Sequence, residues 1–407
     1  MTPRGAPRVL VTEVQERAGL AAIRALARAG FVVGGAASSR PAQGHWSRDC
    51  HDRWMLPDPR AGTEAYAERL ARVLDRRGYD IVLPTTDASL IAVSQHRARL
   101  GKDVLHGFPT HDVVLACLDK VRLLEIAAES DLTPPKSIVR GDLDGVRAAV
   151  DQLGWPAVVK PHASVVRVGP RLHSQRSVVV RTPREIGTAV ARLGSPYVVQ
   201  RYIGDGRIVS FAGVFDGERS CALAAARYLR TWPPDVGAAS LAETLEPPTD
   251  VVRRVEHLLS IAGWQGVFEV EMMRDPDGEL HCIDLNPRLH GWLGLAVGAG
   301  ANIPAVWCSR LLGSQPPFVA ARAGVRYRWE DGEFLSLVRN VTRGDVAGAA
   351  SCLRPHRRTV HAAFAARDPL PVGARVAWVA RRLPGWLLRR RGVTSSTDEV
   401  GGAGLTV

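Results

Sequence analysis

The chain has 407 residues, 46% of them hydrophobic, enough for two or three domains with real cores at roughly 100–200 residues each. Its 39 Gly and 27 Pro are ordinary, which together with the apolar content excludes collagen, a coiled coil and a wholly disordered chain. The formal charge of +12 is uneven, with fifteen Arg against seven Asp and Glu from Val319 onward, and lysine occurs only four times, at Lys102, Lys120, Lys136 and Lys160.

No stretch of about 20 apolar residues is free of breakers, and residues 292–308 read as a core helix and its turn. No apolar leader follows MTPRGAP, so a cytoplasmic location is expected. The six cysteines form no CxxC and sit beside no His pair, and they are expected as buried free thiols rather than disulfides or zinc ligands.

In chain order, RVLVTE at 8–13, a helical period through Leu20, Ile23 and Leu26 ending at Gly30, and FVVGGAASS predict a βαβ unit and hence a parallel sheet. Residues 66–74 predict a helix. DIVLP at 80–84 predicts a buried strand that ends on Thr85, Thr86 and Asp87, where open α/β sheets place ligands. Those three can contact a substrate, or Asp87 can cap the next helix; Glu13 and Arg17 are further candidates. No GxGxxG is present. One helix is expected over 111–130, a second over 146–153, then strands at PAVVKP and SVVVR, with a helix over 183–193 opened by Thr182. YVVQRYI at 197–203 and residues 207–216 predict strands, and 247–262 a helix. The end of the chain, 394–407, is Ser/Thr/Gly-rich and expected to be disordered.

The most informative segment is VFEVEMMRDPDGELHCIDLNPRLHG at 267–291, two alternating strands around the turn signal Asp275-Pro276-Asp277-Gly278. With the turn centred on Pro276-Asp277, Glu271 faces Cys282 and Glu269 faces Asp284. Glu269, Glu271, Cys282, Asp284 and Asn286 then share one face, with His281, Ile283 and Leu285 on the other. Clustered carboxylates repel, so a cation is expected among them. Oxygen donors without a Cys–His set favour Mg²⁺ or Mn²⁺; the alternative is a water-solvated acidic hairpin.

This segment resembles the metal-binding signature of the ATP-grasp superfamily: an acid, Glu271, and then a D-x-N-P-R run, Asp284 to Arg288. Lys120 in CLDK and Lys160 in PAVVKP resemble the family's two lysines, 198–203 resembles the strand lining adenine, and RTWPPDVG at 230–237 resembles a substrate or phosphate loop. The resemblance covers about 8–318 and is to carboxylate–amine ligases of the superfamily. It implies an α/β fold of the α+β ATP-grasp kind: a Rossmann-like preATP-grasp domain over 1–110, an ATP-grasp domain over 111–318 with a lid at about 155–230, and a basic C-terminal region over 319–407.

It further implies that Glu271, Asp284 and Asn286 hold Mg²⁺ (or Mn²⁺) on ATP, and that Lys120 and Lys160 neutralise phosphate oxygens. Gln200, Arg201, Tyr202 and Ile203 present adenine contacts, with Asp205 as a ribose partner. Arg288, and more weakly Arg230, bind the acyl phosphate or carboxylate. The implied reaction phosphorylates a small carboxylate and lets a small amine attack it. A homodimer is a habit of the family. Glu269 stays open as metal partner, substrate contact or solvated residue, and His290 and Trp292 as substrate contacts or packing. Two departures stand out. The segment after Lys160, PHASVVRVGPRLHSQRS, has one glycine, leaving Ser164, Arg167, Arg171 and Ser177 as side-chain substitutes, or else a flexible basic loop. Arg201 stands where many relatives have an acid.

Competing expectations are a catalytically weak nucleotide-binding regulator of the same fold and a bicarbonate-activating carboxylase type. The Arg-rich stretch 372–391 can form an amphipathic helix packed on the body or lying on an anionic membrane, but no nucleic-acid motif accompanies its charge.

Overall fold

The computed structural model describes residues 5–204 and 206–377. Its first part contains β1 (Arg8–Val11), α1 (Arg17–Arg28), β2 (Val32–Ala37), β3 (Asp52–Met55), α2 (Thr63–Arg77), β4 (Ile81–Leu83) and α3 (Asp87–Gln95). The four strands pair in parallel in the order β3-β2-β1-β4. Leu20, Ile23 and Leu26 recur at helical spacing on α1 and are fully buried. Thr86 caps α3 reciprocally with Ser89, so Asp87 is not the cap and its carboxylate is left for another partner.

Next come α4 (His111–Leu118) and α5 (Lys120–Glu129). The single helix expected over 111–130 is thus two, because the Asp119 side chain accepts from the amides of Val121 and Arg122 and starts a new helix at Lys120. A small antiparallel sheet follows, from β5 (Ser137–Arg140), α6 (Leu143–Leu153), β6 (Ala157–Pro161), β7 (Val165–Val168), β8 (Arg171–Ser174), β9 (Val178–Val180), α7 (Pro183–Arg192) and β10 (Tyr197–Arg201). Its order is β5-β10-β6-β9, with β7 and β8 as a separate hairpin. The segment after Lys160 is therefore a hairpin rather than a loose loop. Leu172, on β8, is buried in a core shared with Phe211 and Leu223, and its amide donates to the Arg60 carbonyl at 2.9 Å.

The rest builds the large sheet: β11 (Arg207–Phe215), β12 (Ser220–Trp232), β13 (Ala238–Leu245), α8 (Thr249–Ile261), β14 (Gly266–Arg274), β15 (Leu280–Asn286), α9 (Leu293–Gly298), α10 (Ile303–Leu311), β16 (Val319–Ala320), β17 (Arg326–Arg328), α11 (Glu330–Thr342), α12 (Val346–Leu353) and β18 (Thr359–His361). The order is β15-β14-β11-β12-β13-β17-β18, with β16 beside β12. Residues 207–230, grouped with the lid on sequence, lie in this sheet instead of the small one. Their strands are apolar on both faces: Ala212, Val214 and Ala224 enter one core with α1 and α9, while Phe211, Phe215 and Leu223 enter another with α8. That two-sided burial is what a central strand provides.

Part of the Arg-rich region is integral to the body. Asp368 is buried and accepts from Arg24 Nε at 2.8 Å and Ser47 Oγ at 2.7 Å, tying the first and last parts of the chain together. The six cysteines are free and buried. Among the described residues no helix is long and apolar enough to cross a membrane. Most of the 372–391 stretch and all of 394–407 lie outside the described residues.

Candidate active site

The acidic hairpin is β14 and β15, but its register differs from the expected one. Glu269 pairs with Asn286 and Glu271 with Asp284, and the ladder then slips, so that Met272 pairs with Cys282 and Ile283 has no partner. A one-residue bulge reverses the alternation beyond it. Cys282 therefore joins Val270, Met272 and Leu285 in the core instead of the carboxylate face. The bulge also re-aims the Ile283 carbonyl, which accepts from Lys160 Nζ at 3.0 Å. Lys160 arrives from β6, and Lys120 arrives from the first turn of α5 to pair with Asp284. Both lysines are buried.

Glu269 is an internal post. Its Oε1 accepts from Ser210 Oγ at 3.0 Å and Trp292 Nε1 at 2.5 Å, and its Oε2 from Asn286 Nδ2 at 3.1 Å. The Tyr228 hydroxyl lies 3.2 Å from Glu269 Oε1 and 2.7 Å from Glu271 Oε1, bridging the two acids. Burial, then the charges of Glu269 and Asp284, push the Glu271 carboxyl up to about 8. Burial, then the Lys120 charge, pulls Lys160 down to about 8. Asn286 Oδ1 accepts from Arg288 Nη2 at 3.0 Å, and Arg288 Nε pairs with Asp87 of α3. His290 is buried 4.3 Å from the Trp292 ring, and burial followed by the Arg288 charge lowers it to about 3, so it is neutral.

In the small sheet, Val198 of β10 pairs with Lys160. Gln200 is buried and donates from Nε2 to Ser137 Oγ at 3.0 Å, so its side chain is committed inward. Arg201 is exposed and its amide donates to the Lys136 carbonyl at 2.8 Å. Tyr202 and Ile203 follow the strand, and Asp205 lies outside the described residues.

No family model matches the chain. A protein of Bifidobacterium longum named formate-dependent phosphoribosylglycinamide formyltransferase is 28% identical over 256 residues, which are 57% of this chain and 61% of that protein. The match thus spans less than two thirds of that relative's length. Among solved structures, the biotin carboxylase domain of the Hydrogenobacter thermophilus 2-oxoglutarate carboxylase, in complex with MgADP, ADP and bicarbonate, aligns with a TM-score of 0.62 at 15% identity, over 79% of this chain and 74% of that one. L-amino acid ligase from Bacillus licheniformis aligns with a TM-score of 0.57 at 16% identity, over 77% and 78% of the two chains. This is the ATP-grasp fold.

Within the ATP-grasp fold, the expected site residues separate into groups. Lys120, Lys160, Glu271, Asp284, Asn286 and Arg288 converge on one end of β14–β15. Gln200 and Arg201 lie on the neighbouring small sheet, and Tyr202 and Ile203 follow it. Arg230 is turned toward the C-terminal region, where it pairs with Glu333 and donates from Nη2 to Ser351 Oγ at 2.6 Å. Arg167, offered on sequence as a phosphate contact, donates to Gln95 Oε1 at 2.7 Å.

Among the described residues no three His, Cys, Asp or Glu side chains are arranged to hold a metal alone. Two carboxylates and an amide oxygen are instead what Mg²⁺ uses when substrate phosphates and water complete its shell. The residues fit that ion: Glu271 and Asp284 are adjacent acids, and burial, then the charges of Glu269 and Asp284, disfavour ionised Glu271, a cost that a divalent cation would offset. Sequence reading missed Tyr228 and Ser210. Tyr228 carried a weak signal, as the first polar residue at the two-residue spacing that continues Ala222, Ala224 and Ala226.

Proposed function

We propose that the chain is an ATP-dependent carboxylate–amine ligase. The observation that carries this reading is the approach of two buried ammonium groups, Lys120 and Lys160, to the bulged strand that also bears Asp284 and Asn286, with Arg288 just beyond its end. Buried cations beside buried acids are costly unless they serve a polyanion. ATP supplies one.

In this reading Glu271, Asp284 and Asn286 hold Mg²⁺ or Mn²⁺, which neutralises charge on the phosphates when bound. Lys120 and Lys160 neutralise phosphate oxygens, and Gln200, Arg201, Tyr202 and Ile203 line the adenine side, where backbone groups serve because the Gln200 side chain is occupied. Asp205 is the ribose partner. Arg288 orients the acid so that a carboxylate oxygen takes the γ-phosphoryl group and ADP leaves. The amine nitrogen then attacks the acyl carbon, phosphate departs with the C–O bond electrons, and the ammonium proton is lost. Glu269, Tyr228 and Trp292 fix the acids in place and touch no substrate.

The substrates are a small carboxylate and a small amine, in a cytoplasmic setting. Bicarbonate as the acid is the second reading, favoured by the likeness to a biotin carboxylase domain. The test is phosphate release from Mg-ATP by the purified chain across carboxylate and amine panels, bicarbonate included. Turnover that needs both an acid and an amine supports the ligase. ATP hydrolysis indifferent to either, or Asp284→Ala turning over at the wild-type rate, overturns it.

A further inference from the structure

The inward faces of α11 and α12 are fixed by polar contacts. Glu333 of α11 accepts from Ser240 Oγ of the large sheet at 2.8 Å and pairs with Arg230. On α12, Ser351 Oγ accepts from Arg230 Nη2 at 2.6 Å, and the buried Cys352 takes a contact from Asn340 Nδ2 at 3.8 Å. The outward faces are apolar. Phe334 and Val341 are seven residues apart and share one face of α11, and Val346 and Leu353 do the same on α12. Each of the four leaves more than half of its surface in water, Val346 as much as 79%. Single exposed apolar residues are ordinary, but four on one short helical hairpin are not.

Charge gives an independent observation. Residues 332–367 hold six arginines and only two acids, Glu333 and Asp345. Glu333 is spent inward, and the Asp345 side chain caps α12 by accepting from the Gly348 amide at 2.8 Å. Arg343 sits in the three-residue turn between Val341 and Val346, within an unbroken exposed run over 341–347. Arg354 follows Leu353, and Arg357 and Arg358 come next. All four are exposed, and among the described residues none of their guanidinium groups has a carboxylate partner.

We propose that this helical hairpin docks the chain on the surface of an anionic phospholipid bilayer. Guanidinium groups bind lipid phosphates, while Phe, Val and Leu side chains enter the boundary between headgroups and acyl chains. The contact is peripheral, since among the described residues no helix is long and apolar enough to cross a membrane. Charge decides against the other occupants. The segment 378–407 carries five arginines and two acids, so laying it on this surface sets like charges together. A two-fold contact with a second copy does the same. A nucleic acid would satisfy the arginines but give Val341, Val346 and Leu353 nothing to bury against. The assignment goes beyond the ligase reading and does not require it.

The experiment is vesicle flotation of the full chain. Vesicles of phosphatidylserine and phosphatidylcholine in equal parts are compared with phosphatidylcholine alone, at low salt. Saturable binding to the anionic vesicles and none to the neutral ones is expected. The triple variant Arg343→Gln/Arg357→Gln/Arg358→Gln should weaken it about tenfold or more. The double variant Val346→Ser/Leu353→Ser should weaken it about threefold or more while keeping the preference for anionic lipid. Every substituted side chain is exposed, so both variants should keep the wild-type thermal unfolding midpoint, measured alongside. No binding to anionic vesicles, or equal binding to neutral ones, overturns the proposal. Wild-type binding by the triple variant also overturns it, because segment 378–407 or another surface then carries the contact. So does unchanged binding by the serine variant, since a purely electrostatic partner such as a DNA duplex would then serve as well.

Discussion

Asp87 and Arg288 are 201 residues apart and form a direct ion pair, joining the first helix after β4 to the end of β15. The Asp87 side chain is 9% exposed and that of Arg288 20%, so the pair is largely out of water. Its geometry locks the guanidinium that also donates to Asn286. Removing one partner of a buried pair leaves the other uncompensated, at a cost of about 3–5 kcal/mol. Asp87→Ala should therefore lower the unfolding midpoint in urea strongly, whereas Asp87→Asn, which keeps an acceptor, should lose about half as much and reduce turnover through a misplaced Arg288. Wild-type stability in Asp87→Ala would show that the pair opens in solution.

Tyr228→Phe tests the bridge between Glu269 and Glu271. Glu269 keeps Ser210, Trp292 and Asn286 in the variant, so the fold should survive. Glu271 loses its orienting hydroxyl. Loss of such a supporting contact typically costs 10–100-fold in metal affinity. A Mn²⁺ titration in the presence of ADP should show weakening in that range. Equal Mn²⁺ affinity would mean that Glu271 is not a ligand or needs no orientation.

How much of this was legible in the chain depends on whether the determinant was local. Glu271, Asp284, Asn286 and Arg288 announce themselves through two-residue alternation about a strong turn. Lysine scarcity draws attention to Lys120 and Lys160. The bulge at Ile283 was not legible: a one-residue slip leaves no mark in composition, yet it moves Cys282 into the core and sets which acids face each other. Tyr228 reaches the acids from β12 across the intervening β11, a long-range pairing that no window of sequence contains. The β7–β8 hairpin was hidden because its short, basic strands are stabilised by Leu172 packing on distant residues rather than by their own pattern. Asp119 could have been read as a helix start, and it accounts for the divided helix.

Metal binding should be linked to protons. In the absence of cation the Glu271 carboxyl titrates at about 8, so it is protonated through the neutral range, and a divalent ion must displace that proton. Affinity for Mg²⁺ in the presence of ADP should rise as pH increases toward about 8 and level off above it. Calorimetry in buffers of different ionisation enthalpy should detect roughly one proton released per site near neutrality. Glu271→Gln should remove both the proton release and most of the affinity. A pH-independent Mg²⁺ affinity would contradict direct ligation by Glu271.

Glu13 offers a separate pH test, remote from the metal-binding acids. It sits at the end of β1 with φ of 49°, buried, and Gln15 Nε2 and Ser38 Oγ each donate to its Oε2 at 2.6 Å. Its Oε1 is buried without a partner. Burial is the dominant cause that pushes its carboxyl from 4.5 to about 7. The folded state therefore binds more protons than the unfolded state between those two values. Stability contributed by the neutral carboxyl is complete below 4.5 and is lost as pH rises through the window to about 7. That loss is at most on the order of 3 kcal/mol for a shift of this size. Glu13→Gln keeps the shape and stays neutral at every pH. Urea unfolding at about pH 5 and about pH 8 should show the wild type losing more stability between them than the variant does, with the variant the more stable at the higher pH. If the two proteins track each other across that range, Glu13 is ionised in the folded chain and the burial argument at this turn fails.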